Sequence, residues 1–68
     1  TEGEYLVDII FNPGALNSVD QIKQKAAVLI DCINLHGADP RTLALAVTNI
    51  EQGAMWAVKS ATKPPREA

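Results

Sequence analysis

The chain has 68 residues, is 47% hydrophobic with three aromatic residues and one cysteine, and carries a net charge of −2 from six basic and eight acidic side chains. That length allows at most one domain, a single cysteine excludes an intramolecular disulfide, and Cys32 with His36 cannot complete a structural zinc site. The acidic balance argues against general DNA or RNA binding, which needs a basic surface, and no apolar run approaches the ~20 residues that cross a bilayer.

A domain this small struggles to offset chain entropy with its own core. With disulfides and zinc excluded, oligomerisation is the expected rescue, and the small aliphatic composition suits close helix–helix packing. The lone thiol and the lack of a basic, apolar export signal favour a reducing cytosol.

The first segment, EYLVDIIF over residues 4–11, is rich in β-branched and aromatic types. Tyr5, Val7 and Ile9 alternate with Leu6, Asp8 and Ile10, so a short strand is the first reading. A lone strand must pair or lie along other elements, and a one- or two-turn helix is the alternative. Asn12-Pro13-Gly14 then interrupts regular structure.

Residues 18–36 read as the first long helix, with Ser18 as N-cap and Gln21 completing a capping box. Asp20 sits in the first turn, where the helix dipole favours an anion. Val19, Ile22, Ala26, Leu29 and Ile33 form the expected seam, and Val28, Cys32 and Leu35 a second apolar strip. One hairpin partner cannot cover both strips, a further pointer to an oligomer. Gly37 ends the helix.

A second helix follows over residues 40–62, with Asp39 as N-cap, Pro40 in the first helical position, and Pro64-Pro65 as the stop. Its seam is Leu43, Val47, Ile50, Ala54, Ala57 and Ala61. Gly53 costs about 1 kcal/mol against Ala in a helix interior, which points to a close approach of another helix or a ligand to its backbone. The short connection makes the helices antiparallel neighbours, each about 30 Å long. The expected fold is therefore mainly α: one domain over residues 1–68, an antiparallel two-helix hairpin with an arm (1–17), a tail (63–68) that frays over its last five residues, and assembly into an oligomer.

The catalytic inventory is thin. There is no nucleophilic triad, no phosphate-binding glycine loop and no carboxylate pair with a proton-transfer role. His36 reads as a helix C-terminal dipole partner, Cys32 as core, and Glu51, the best candidate acid or base, as an ordinary hydrogen-bonding residue. No cofactor or metal is implied, and an enzyme is not expected.

The binding inventory is richer. Lys23 and Lys25 lie in the first turns of helix one, Arg41 starts helix two, and Lys59 and Lys63 lie near its end. Cations beside a helix N-terminus suit an anion, and Tyr5, Phe11 and Trp56 could offer flat surfaces to bases. The competing reading makes the lysines solvated charges and makes Met55 and Trp56 interface core. On composition alone that reading prevails.

The stretch LALAVTNIEQGAMWAVKSATK shifts the balance. It resembles the hairpin domain of bacteriophage anti-CBASS and anti-Thoeris sponge proteins, whose second helix carries an L-A-x-T-x-I/L-E-x-A/G-x-M-W-A run. Leu45, Ala46, Thr48, Ile50, Glu51, Gly53, Met55, Trp56 and Ala57 fit it. VDQIKQKAAVLID resembles the family's first helix, with its I-K-x-x-A/G stretch, more loosely, and the resemblance runs from about Val19 to Lys63. The arm, FNPGALNS, matches less well.

The resemblance implies a helical protein that assembles as a hexamer in the cytoplasm of the bacterial host. It implies binding of cyclic dinucleotides, cyclic trinucleotides or cyclised ADP-ribose without cleavage, so that the host effector is never activated. By the same resemblance Lys23 is a phosphate contact and Arg41 serves a second, trinucleotide-type site. Tyr5 stacks on a base, with Phe11 an equal candidate by position. Two other classes stay open: a structural helical oligomer, and a protein–protein inhibitor with no nucleotide ligand.

Overall fold

The computed structural model describes residues 1–12 and 14–64, and places three helices: α1 (Glu2–Leu6), α2 (Asn17–His36) and α3 (Pro40–Thr62). Pro13 and residues 65–68 lie outside the described residues, and with them Pro13's share in the interruption and most of the fraying expected at the tail.

The arm corrects the strand reading: residues 2–6 are helical, and no strand occurs among the described residues. The β-branched run was a weak guide because a capping box precedes it. The Thr1 hydroxyl accepts the Glu4 N–H, and the Glu4 carboxylate reaches back to the Thr1 backbone. Five residues of helix are too few to stand alone, so docking holds them. The Gly3 N–H donates to Asp31 Oδ1 at 2.8 Å, and a Cβ on Gly3 would lie 2.2 Å from the Ala27 carbonyl oxygen. Only glycine lets α1 approach α2 this closely. Thr1 and the Gly3 N–H together hold the Asp31 carboxyl below the usual carboxylate range. After α1 the chain turns, with Asp8 in the left-handed region at φ 52°, which Asp tolerates better than most residues.

Helix α2 begins at Asn17, so Ser18 lies inside it, and Leu16 at the N-cap supplies no side-chain bond. Asn12 organises this end from outside the helix. Its Oδ1 accepts the Leu16 N–H, and its Nδ2 donates to the Leu16 carbonyl and to Asp20 Oδ1. The helix ends at Gly37, which is extended (φ −71°) rather than left-handed. Space explains this glycine: a Cβ would lie 2.7 Å from Leu43 Cδ1 and 2.8 Å from the Ile33 carbonyl oxygen.

Helix α3 starts as its sequence dictates. Asp39 accepts the Thr42 N–H at 2.9 Å and the Thr42 hydroxyl at 2.6 Å, with Pro40 opening the helix. Those two bonds hold the Asp39 carboxyl below its ordinary value. The helices run antiparallel, since Val19 borders the same recess as Val58 and Thr62 while Ile33 borders one with Leu43 and Ala46.

The core is small. Val7, Ala27, Ile30 and Ala54 form the buried cluster, with Leu6, Ile9, Ala26, Val47 and Ile50 packed around it. The buried line of α2 is Val19, Lys23, Ala27 and Ile30, so the expected seam is rotated: Ile22, Ala26 and Ile33 are half-buried and Leu29 is exposed. The rotation follows from α2 carrying two neighbours, α1 as well as α3. Cys32 is exposed, which corrects its reading as core. On α3, Leu43, Val47, Ile50 and Ala57 are half-buried, Ala54 is buried, and Ala61 is exposed.

The molecule is flat and long, 47 × 24 × 12 Å, with a radius of gyration of 13.3 Å against about 11 Å for a compact chain of this length. Its accessible surface of 5296 Å² exceeds by roughly 1,100 Å² what a folded monomer of its mass exposes. Val28, Leu35, Leu45, Met55 and Trp56 are among the large apolar side chains left exposed.

Candidate functional site

The turn after α1 lies across the end of the hairpin where α2 begins and α3 finishes. Two adjoining recesses open there, of about 380 and 270 Å³, sharing Phe11, Lys23 and Val58. Val7, Val19 and Ala54 supply apolar floor, Met55 and Leu16 apolar walls, and Glu51 and Asp8 the acidic edge.

Lys23 sits between them. It is only 6% exposed and is the single buried charged side chain among the described residues. Its Nζ donates to the Asp8 carbonyl at 2.8 Å and to the Phe11 carbonyl, and lies 5.2 Å from the centre of the Phe11 ring. These carbonyls belong to the turn after α1, and the ammonium satisfies them together with the Phe11 ring face. Reading Lys23 as a plain solvated charge is therefore incorrect.

Of the expected ligand contacts, Phe11 and Lys23 come together. Tyr5 is 78% exposed on α1 and does not line this recess. Arg41, also exposed, lies in the first turn of α3. Val58 lies seventeen residues further along the helix, about 25 Å along the axis. Arg41 therefore belongs to a different region from the Phe11–Lys23 recess.

Several participants escaped sequence reasoning. Asn12 gave no signal beyond its place in a turn. Val58 and Met55 fell outside the seam through Ala54, although their spacing of three residues places them on neighbouring faces. Trp56 is 67% exposed, with the Lys59 ammonium 5.2 Å from its ring. Among the described residues, a Cβ added at Gly53 would meet nothing within 4 Å, so none of them makes the close approach expected there. Among the described residues, no group of three or more His, Cys, Asp or Glu side chains is placed to hold a metal ion, and no helix is long and apolar enough to cross a membrane.

These features define, among the described residues, a small helical hairpin module with a partly apolar recess where the arm crosses one end of it. The chain belongs to the Acb2/Tad1 family: the family's hairpin-domain model matches residues 6–62. This is the anti-CBASS and anti-Thoeris sponge family, a family of binding proteins for cyclic nucleotide signals and not a known enzyme family. No curated protein and no solved structure matches the chain.

Proposed function

We propose that this protein is a phage anti-defence sponge that sequesters cyclic oligonucleotide messengers of the host immune system and releases them intact. The observation that carries the reading is the family match over residues 6–62, which includes the arm turn and both long helices. The recess supports it: an aromatic ring, apolar walls and a lysine beside one another suit a base joined to a phosphate.

In this reading the ligands are cyclic dinucleotides, cyclic trinucleotides or cyclised ADP-ribose, and the site of action is the cytoplasm of the bacterial host. Phe11 and Lys23 serve the recess, with Tyr5 on the adjoining arm. Arg41, at the other end of α3, serves a separate site for trinucleotides. The working form is a homo-oligomer, a hexamer by family resemblance, which covers the apolar side chains that one chain leaves exposed.

Thermal stabilisation by a panel of cyclic di- and trinucleotides tests the proposal. A sponge is stabilised by at least one of them, and denaturing the complex returns the same molecule. The exposed Leu45, Met55 and Trp56 would equally suit a protein–protein inhibitor. Such an inhibitor ignores every nucleotide and co-purifies with a single macromolecule, while a structural oligomer does neither. Steady formation of linear product, lost in Glu51→Gln, would make the protein an enzyme.

A further inference from the structure

The arm lies along one face of α2. Gly3 docks at Ala27 and Asp31, the carbonyls of Asp8 and Phe11 meet Lys23, and Asn12 donates to Asp20. Asp31, Ala27, Lys23 and Asp20 succeed one another at steps of four, four and three, which is a single stripe of a helix. The arm therefore runs back along α2 toward its first turn, and Phe11 reaches the recess near the end of that run.

The contact farthest from the recess is the bond from the Gly3 N–H to Asp31 Oδ1, at 2.8 Å. Gly3 is buried in the first turn of α1, where an N–H has no partner within its own helix. A buried donor left unpaired is costly, so Asp31 supplies the acceptor that lets Gly3 sit against the Ala27 carbonyl. Backbone bonds carry this position down the arm. The Val7 N–H donates to the Gly3 carbonyl at 3.2 Å, the Asp8 N–H to the Tyr5 carbonyl at 3.2 Å, and the Phe11 N–H to the Asp8 carbonyl at 2.9 Å. The Phe11 side chain is 66% exposed, so its place over the recess depends on where its backbone is held.

We infer that Asp31 is a positioning residue for the recess: by accepting the Gly3 N–H it fixes the register of the arm on α2, and so holds Phe11 over the gap between α2 and α3. Asp31 and Gly3 line neither recess, and Asp31 lies eight residues from Lys23, about 12 Å along the helix. What Asp31 does for a ligand rests on the sponge reading. There Lys23 meets a phosphate, and an ammonium so engaged gives up part of its hold on the Asp8 and Phe11 carbonyls. The bond between Gly3 and Asp31 is not drawn on by the ligand, and it keeps the arm in register while the recess is filled.

Amide exchange measured by NMR gives the first test. In the unmodified protein the Gly3 amide should exchange ten-fold or more slowly than in an unstructured peptide of the same sequence, and an unprotected Gly3 would overturn the inference. Asp31→Ala removes the acceptor. It should speed exchange at Gly3, Val7 and Phe11 ten-fold or more and leave Val47 and Ala54 of α3 at wild-type rates. Unchanged exchange at Phe11 would overturn the inference, and so would equal acceleration at Val47, which would make Asp31 a residue of general stability. Asp31→Asn keeps an oxygen for the Gly3 N–H and should restore protection of the arm; failure of that rescue would also count against it.

Binding of cyclic di-GMP completes the test. Asp31→Ala should raise Kd about ten-fold, Asp31→Asn should return it to near the wild-type value, and Gly3→Ala should match Asp31→Ala. The double variant should be no worse than either single one, because both break one contact. Wild-type affinity in Asp31→Ala, or losses that add, would contradict the inference while leaving the sponge reading intact. If cyclic di-GMP does not bind the wild type, the sponge reading fails for that ligand, and exchange at Phe11 still decides whether Asp31 positions the arm.

Discussion

Helices α2 and α3 are of similar length and share one interface, yet they are covered very differently. Four residues of α2 are buried, Val19, Lys23, Ala27 and Ile30, because α1 docks on it as well as α3. Only Ala54 is buried on the longer α3. Its remaining faces carry Leu45, Met55 and Trp56 into solvent, and among the described residues none would meet a Cβ at Gly53. Helix α2 is thus the inner element of a single chain, whereas α3 has the composition of an inner element and the surroundings of an outer one. A second covering surface, as in the proposed homo-oligomer, would account for that composition.

The largest effect should fall on the inner helix. Ile30 is fully buried and belongs to the central cluster. Ile30→Ala should cost about 2–5 kcal/mol by denaturant unfolding, at every protein concentration. A smaller effect would mean that the arm and α3 do not converge on α2 as described.

Trp56→Ala probes the outer helix. If copies of the chain cover α3, the loss should be about 2 kcal/mol and should appear as weaker assembly in sedimentation, growing as the protein is diluted. In a free-standing monomer the exposed ring would matter little beyond its contact with Lys59.

Gly53→Ala is sharper still, because the two accounts differ in sign. A lone α3 should gain about 0.8–1 kcal/mol of helix propensity, since a Cβ there meets nothing among the described residues. A close contact from another copy turns that gain into weakened assembly. Thermal melts across a dilution series distinguish the two.

The smallest effect concerns the loop end. Two bonds from Thr42 keep the Asp39 carboxyl below its ordinary value. A depressed carboxylate contributes stability that is present above its unfolded pKa and lost as pH falls through the lower folded one. Helicity should therefore decline slightly in that acid window, and Asp39→Ala should remove this part of the pH dependence. An unchanged profile would show that the cap does not matter to α3.

The sequence was most legible where local chemistry acts alone. Asp39 and Pro40 mark the start of α3, and its end at Thr62 follows from the prolines beyond, because caps and φ restrictions need no tertiary context. It was least legible where docking decides. The arm's β-branched residues suggested a strand, but Gly3 against Ala27 and the Thr1 cap make a helix. Lys23 broke the apparent seam of α2 because hydropathy counts a lysine as outward, whereas the carbonyls that bury its ammonium belong to a turn twelve or more residues away. For the same reason sequence reading named Phe11 and Lys23 separately and could not join them, whereas the antiparallel hairpin already set Arg41 at the far end from Lys23.

The central claim is a sponge built from several copies, and native mass spectrometry with a panel of cyclic di- and trinucleotides tests it most directly. The account predicts an oligomer, a hexamer by family resemblance, that carries at least one of these molecules at a fixed stoichiometry and yields it unchanged on denaturation. A folded 7.3 kDa monomer that takes up none of them would contradict it.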